Sequence, residues 1–403
     1  MSSVARLFTK IFKEGGIILI DSDNQKYICG KPNMSKPITI RLLKKNLNWK
    51  LIINPDLSFP EAYMKGEIVI ENANLTEFLN LVFKNIGRKE VTIPSYIIKK
   101  IMHLWRVVSN YNFPGKSQKD IQHHYDIGGE KGEKLYDIFL DEKHRQYSCA
   151  YFKNTDDTLE QAQQNKLDHI IKKLHIKEGQ KILDIGCGWG GMAFEIARQK
   201  KCEVLGISLS NNQINYCNQK AKELNLDNQV RFELIDYRHV KGKFDRIVSV
   251  GMFEHIGKKF YKVFFKKINE LLKKDGISLL HTIGSINQPQ PTAPFIQKYI
   301  FPGGVVPSFS EILKPIEKTG LIVSDTETLI RHYDKTLNEW LKRFNAKKTE
   351  AKDIFDDQFV RMWEFYLASC SAVFKYRDLV VFQLQLVKNF DSIPSNRRDY
   401  IYS

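Results

Sequence analysis

Hydrophobic positions in the second half of the chain alternate between two periods. Short apolar, β-branched runs fall at 181–185, 203–207, 229–235, 244–250, 277–283 and about 321–328. Between them, apolar residues recur every three or four positions. The runs predict buried strands and the longer spacing predicts helices. Such alternation predicts an α/β domain built on a doubly wound parallel sheet. Ahead of it, residues from about 15 to 107 read as a small α+β domain. Its expected strands are Ile17–Ile20, Ile38–Leu42 and Glu67–Glu71, followed by an amphipathic helix at Leu75–Phe83 and another over Ser95–Val108. Turn formers without a period, from Ser109 to Lys116, place a linker at 108–120 and divide the chain into 1–107 and 121–403. Residues 285–320 break the alternation with Gln-Pro, Thr-Ala-Pro and Pro-Gly-Gly segments, a length that suits a functional cap. A helical tail, Leu337–Tyr376, carries Trp340, Phe344, Met362, Trp363, Phe365 and Tyr366, and Val380–Val387 is a candidate final strand.

The first of these strands ends in chemistry. Lys181-Ile182-Leu183-Asp184-Ile185 runs into Gly186-Cys187-Gly188-Trp189-Gly190-Gly191, and a helical pattern follows. A strand, a glycine turn and a helix form the opening of a nucleotide-binding unit, where missing Cβ atoms let the backbone approach a ligand. Gly186, Gly188 and Gly191 also satisfy a dinucleotide fingerprint. Two details favour S-adenosylmethionine instead. Asp184 lies two residues before the first glycine, where a carboxylate can accept hydrogen bonds from the methionine end of that cofactor. The next strand ends in Ser208, without the acidic residue that the ribose of NAD requires. A glycine turn with no ligand is the alternative.

Ligands of open α/β sheets bind beyond the carboxyl ends of the strands. The fourth strand of this domain runs into Gly251-Met252-Phe253-Glu254-His255, and the fifth carries His281 before Thr282-Ile283-Gly284. Glu254 and His281 are therefore expected to face one crevice with the glycine loop, as candidates for proton transfer. Taken singly, Glu254 could be a cap or ion-pair partner, and His281 a satisfied core histidine. Their joint placement favours chemistry.

Charge adds a possible partner. The net charge is +16, and residues 1–115 hold 17 Lys/Arg against 9 Asp/Glu. A basic surface suits nucleic acid or an anionic membrane. A nucleic-acid methyltransferase should close its fourth strand with an Asn/Asp-Pro-Pro-aromatic motif or offer a Pro-Cys nucleophile, and this chain has neither. The cysteines (29, 149, 187, 202, 217 and 370) form no CxxC pair, so the expectation is a reducing, cytoplasmic compartment with no bound metal. No secretory leader is visible, and no apolar run approaches the ~20 residues needed to span a bilayer. Work on a membrane would proceed from its side.

Several longer motifs occur in one order: Pro60-Glu61-Ala62-Tyr63-Met64-Lys65-Gly66, His124-Tyr125-Asp126, Tyr147-Ser148-Cys149-Ala150-Tyr151, Leu183 to Gly191, Phe244 to His255, and Leu279 to Gly284. Together they resemble the cyclopropane-fatty-acyl-phospholipid synthases over essentially the whole chain. The resemblance implies a Rossmann-like class I methyltransferase sheet with a small N-terminal, sterol-carrier-like α+β domain. The implied reaction carries the methylene of S-adenosylmethionine to a cis double bond in a phospholipid acyl chain. A carbocation would form and lose a proton to a bound bicarbonate. By the same resemblance, Tyr125, Tyr147 and Ser148 close over the cofactor, with Asp184, Gly186 and Gly188 beneath it. Ser208 and Gln213 would reach its ribose or methionine parts, and Asp236 and Tyr237 would flank the adenine. Cys149, Glu254, His281, the Ile283 backbone and Tyr333 would hold the bicarbonate. The segment between Asp126 and Tyr147 is several residues longer than the family spacing, and Ile235 stands where some members carry glutamine.

The implied partners are unsaturated phospholipids of an anionic membrane, with the protein peripheral at the inner face of a bacterial cytoplasmic membrane and compatible with a homodimer. A related enzyme making methyl-branched or hydroxylated chains is the alternative within this chemistry. A non-catalytic lipid-binding protein is the alternative outside it.

Overall fold

The computed structural model describes residues 2–87 and 130–402. The helix expected over Ser95–Val108, the linker at 108–120 and Tyr125 lie outside the described residues. Those described group into two compact units. One comprises the N-terminal residues through 87 with 290–302 and 337–379, and the other comprises 130–289, 303–336 and 380–402. The N-terminal unit thus takes in two segments that are distant in sequence.

In that unit a four-stranded sheet has the order β2-β1-β3-β4, with β1 Gly16–Ile20, β2 Lys26–Gly30, β3 Thr39–Leu42 and β4 Ile68–Glu71. β1 pairs antiparallel with β2 and parallel with β3. Strand β2 has no counterpart among the expected elements. It is an edge strand in which only Cys29 is buried, so it lacks the apolar alternation that marks a half-buried strand. The helix expected at Leu75 spans Leu75–Ile86, begun by an Asn74–Glu77 capping box. The aromatic tail is three helices, His332–Ala346, Lys348–Ile354 and Asp357–Tyr376. The last of these lends Phe365 to Phe59, which stacks on Phe78 at 5.3 Å between ring centres.

The second unit carries seven strands in the order β10-β11-β9-β8-β5-β6-β7. They are β5 Lys181–Ile185, β6 Glu203–Ser208, β7 Val230–Leu234, β8 Phe244–Val250, β9 Leu272–Ser285, β10 Ile322–Leu329 and β11 Leu379–Val387. From β9 to β7 neighbours run parallel, as expected. The all-parallel sheet needs one correction, because β10 pairs antiparallel with β11 and makes the sheet mixed. The candidate final strand at 380–387 is β11, and it enters the sheet between β10 and β9. Its near-continuous burial is that of an interior strand. Two apolar cores cover the two faces. One gathers Leu167, Ile170, Phe194 and Ile214, and the other Tyr261, Phe264, Phe265 and Ile312.

The rim of this sheet holds a buried ionic cluster. Glu327 accepts from Lys173 Nζ at 2.5 Å and lies 2.7 Å from His169 Nε2. Burial raises the Glu327 carboxyl, but the His169 hydrogen bond and the Lys173 charge outweigh it and bring the pKa to about 2. Its stabilising contribution is complete above the unfolded carboxylate range and is lost as pH falls through about 2. Lys173 is fully buried, so Glu327→Gln takes from a buried cation the nearer of its two carboxylate partners and leaves Asp325 at 3.6 Å. The variant is expected to lose about 3 kcal/mol in denaturant unfolding at pH 7, and less at pH 3.

Candidate active site

At the carboxyl end of β5 the chain turns three times through positive φ, at Gly186 (+83°), Gly188 (+54°) and Gly190 (+82°), before the helix Gly191–Lys200. The amides of Gly186 and Cys187 both donate to the Ile207 carbonyl on β6, at 2.9 and 3.0 Å, which fixes the loop over the sheet edge. A Cβ on Gly186 would sit 2.7 Å from Met252, whereas one on Gly188 would meet nothing within 4 Å. Gly186 therefore lets the loop pass Met252, and Gly188 leaves space open.

That space is a cavity. Tyr147, Ser148, Asp184, Gly186, Gly188, Ser208, Gln213 and Tyr237 all line it, as do Arg145, Gln146, Trp189, Met252 and His255. Asp184 is buried and its Oδ2 has no hydrogen-bond partner. Burial lifts this carboxyl to about 7, against the pull of the Lys166 charge. Ser208 Oγ donates to Gln213 Oε1 at 2.7 Å, which joins two of the expected cofactor contacts into one polar wall. Tyr237 lies edge-on to Phe264 with its hydroxyl unpartnered. Asp236 does not line the cavity. Its carboxylate caps the turn beneath Arg238 and bonds that guanidinium at 2.6 Å, so its side chain is committed to the loop.

Sequence reasoning missed Arg145. Its guanidinium lies 4.4 Å from the Trp189 ring centre and 4.7 Å from that of Tyr216, and it pairs with Asp137 at 2.6 Å. Held in this way it joins the helix Glu130–Phe139 to the glycine loop. A local pattern could not have exposed it, since its partners come from three separate elements.

The second constellation is at the ends of β8 and β9. Val250 and His281 are register partners, and Gly251 N–H donates to the His281 carbonyl at 2.9 Å. Glu254 follows in a short 3-10 turn. Its Oε1 accepts from the Ile283 amide at 2.5 Å, while Oε2 has no partner. Burial lifts the Glu254 carboxyl to about 7. Burial also drives His281 well down, so its imidazole is neutral. Gln383 Nε2 donates to His281 Nδ1 at 3.1 Å, which leaves the ring proton on Nε2. The Ile283 amide, expected to face an anion, is engaged by Glu254.

Cys149 is buried, and desolvation raises its thiol far above the ordinary range, so it is no thiolate. Next to it, Ala150 N–H donates to Thr336 Oγ1 at 3.0 Å and Phe152 N–H to His332 Nδ1 at 3.1 Å. These bonds set the Cys149 segment against the first turn of helix His332–Ala346, which carries the buried Tyr333. Glu254 and Ile283 are thus in direct contact, His281 is on the adjoining strand, and Cys149 shares an element contact with Tyr333.

This arrangement can be set beside known proteins. A family model described as mycolic acid cyclopropane synthetase matches residues 114–384. The cyclopropane-fatty-acyl-phospholipid synthase of Escherichia coli strain K12 is 35% identical over 358 residues, covering 87% of this chain and 88% of that protein. The chain belongs to the mycolic acid cyclopropane synthetase family. Among solved structures in this family, the mycolic acid cyclopropane synthase CmaA1 complexed with SAH and CTAB aligns with a TM-score of 0.63 at 32% identity, over 67% of this chain and 97% of that one. The cyclopropane synthase MmaA2 from Mycobacterium tuberculosis gives the same figures. The seven-stranded unit accordingly has the class I S-adenosylmethionine-dependent methyltransferase fold. Among the described residues no helix is long and apolar enough to cross a membrane.

Proposed function

We propose that this protein is an S-adenosylmethionine-dependent cyclopropane synthase that modifies cis double bonds in the acyl chains of unsaturated phospholipids. The observation that carries the reading is the cavity at the ends of β5, β6 and β8. A Cβ at Gly188 would enter open space there, and Asp184 holds an unpartnered buried oxygen in the same wall. These residues fit the cofactor: Asp184 suits its cationic methionine end, Ser208 and Gln213 its polar parts, and Tyr237 an aromatic base. When bound, S-adenosylmethionine would supply a methyl group activated by a sulfonium.

The residues around it have separate tasks. An isolated alkene is a weak nucleophile, so the loop and the Tyr147–Ser148 segment must hold the reacting atoms in line and exclude water. By the family resemblance, Glu254, His281, Cys149 and Tyr333 would hold a small anion such as bicarbonate. His281 offers an Nε2–H, and Glu254, with a pKa of about 7, can hold a proton on Oε2. Bicarbonate there would supply a weak base out of contact with water. Glu254 would keep the Ile283 amide occupied and hold a proton, while His281, neutral at working pH, would be oriented by Gln383.

The deciding experiment is incubation with labelled S-adenosylmethionine and vesicles of unsaturated phospholipid, followed by mass spectrometry of the released fatty acids. A gain of one methylene in a ring supports the proposal. A methyl branch or a hydroxyl would favour the related lipid C-methyltransferases, and no product would leave a lipid-binding role.

Access to the lipid is also part of the proposal. We infer peripheral docking on anionic membranes through the N-terminal unit, which would act in this respect as the sterol-carrier-like module. Ile28, Met34, Leu43, Trp49 and Ile53 are each at least 45% exposed there, among the exposed Lys26, Lys31, Lys36, Lys44 and Lys45. Each cation close to such a surface contributes roughly 1 kcal/mol, and salt screens it. Co-sedimentation with vesicles rich in anionic lipid should therefore fall as salt rises. Equal binding to neutral vesicles at high salt would remove the electrostatic part.

A further inference from the structure

The helix Leu159–Lys173 buries a lysine. Lys166 has no exposed surface, although it stands on the apolar face formed by Ala162, Leu167 and Ile170. A lysine fully buried in a core is rare unless it is paired. Here its ammonium donates to Ser148 Oγ at 2.8 Å and to Gln146 Oε1, and both residues line the cofactor cavity. One turn away, Gln163 Nε2 donates to the Ser148 carbonyl at 3.0 Å. Asp141 holds the same segment from its other side, accepting from the His144 and Gln146 amides at 2.8 Å each. Residues 144–148 are thereby clamped between a carboxylate and an ammonium, neither of which is exposed.

We propose that Lys166 is a positioning residue of the cofactor site, its ammonium ordering the Gln146–Ser148 wall of the cavity whose lining also carries the unpartnered Asp184 oxygen. The inference rests on the reading of the cavity as a site for S-adenosylmethionine. Among the described residues, the titratable groups that face Lys166 are Asp141 and Cys149 from the 141–149 segment, Asp184 from β5 and His281 from β9. Cys149 and His281 stay neutral, so the carboxylates are the charges that matter. Burial lowers Lys166 to about 7, against the pull of the Asp141 and Asp184 carboxylates, and burial raises Asp184 to about 7, with the Lys166 charge drawing it down. Without the ammonium, Asp184 would take up a proton at higher pH and could no longer attract a cation.

A purely structural lysine would not predict this coupling, and the pH dependence of cofactor affinity separates the two roles. Calorimetric titration with S-adenosylmethionine between about pH 6 and 8.5 should show wild-type affinity weakening below about 7. In Lys166→Met that acid limb should move upward by about one pH unit or more, raising Kd about tenfold at pH 7 and recovering as pH rises. Lys166→Arg, which retains the cation, should keep the wild-type limb. An unchanged curve in Lys166→Met, or a loss that does not recover at high pH, would overturn the inference. Should Lys166→Met fail to fold by circular dichroism, Asp184→Asn decides. Its affinity should lose the acid limb altogether, and persistence of the limb would place the titrating group elsewhere and refute the role. Failure of wild-type protein to bind S-adenosylmethionine at any pH would overturn the cofactor reading and this inference with it. The variant outcomes overturn this inference alone.

Discussion

Glu254→Gln should cut turnover by about two to four orders of magnitude while leaving S-adenosylmethionine affinity essentially unchanged. Glutamine preserves the shape and keeps an oxygen to accept from the Ile283 amide, the contact that Glu254 Oε1 makes at 2.5 Å. It cannot hold and release a proton. Glu254 is buried with a pKa of about 7, close to where a proton-transfer group works best at neutral pH. Single-turnover kinetics and calorimetry on the same variant separate the two effects. Near-full activity would remove Glu254 from the chemistry. His281→Ala should be comparably slow, since it deletes the Nε2–H and leaves Gln383 without its partner. Cys149→Ser should be milder, because the thiol is held neutral by burial and no covalent intermediate is required.

The same substitution carries a stability signature of opposite sign. The folded pKa of Glu254 is raised from 4.5 to about 7. Its contribution to stability is fully present below the unfolded value and is lost as pH rises through about 7. At pH 8 the wild-type protein bears the cost of a buried charge that glutamine avoids. Glu254→Gln should therefore melt no lower than wild type at pH 8, a stability gained at the expense of activity. A large fall in melting temperature at that pH would mean that Glu254 is mainly structural.

Gly188→Val should weaken S-adenosylmethionine binding by about a hundredfold or more without unfolding the protein. No protein atom lies within 4 Å of the position its Cβ would take, so the new side chain enters the cavity rather than the core. The positive φ of +54° adds backbone strain for a β-branched residue, on the order of 1–2 kcal/mol. Gly186→Val differs in kind, because its Cβ would collide with Met252 at 2.7 Å. That variant should lose stability as well as affinity. Unchanged calorimetric affinity in folded Gly188→Val would refute the cofactor assignment.

The glycine loop is legible in the amino-acid sequence because its requirement is local. Positive φ at Gly186, Gly188 and Gly190 is a property of each residue's own backbone, so glycine in sequence reports it directly. Asp184 is legible for a similar reason, since strand polarity alone puts it at the ligand-facing end of β5. Glu254 and His281 need one further step, the parallel neighbourhood of β8 and β9, and the Val250–His281 register supplies it. Asp236 has a neighbour that its motif position does not reveal. Arg238, two residues on, takes both of its carboxylate oxygens, a competition that motif positions alone do not weigh.

By itself the sequence determined the periodic strands and helices, the cofactor-type turn and the family, because each depends on residues adjacent in the chain or on long ordered motifs. Only the tertiary structure decided that β11 enters the sheet beside β9 and runs antiparallel to β10, since an apolar run specifies burial but not strand direction or neighbour. It alone assigned residues 337–379 to the unit formed by the N-terminus, because an apolar helix face does not name what it packs against. It also decided the role of Lys166. A lysine among apolar helix positions marks an irregularity in sequence, and its meaning depends on Asp141, Ser148 and Asp184, which only folding brings to a lysine removed from water.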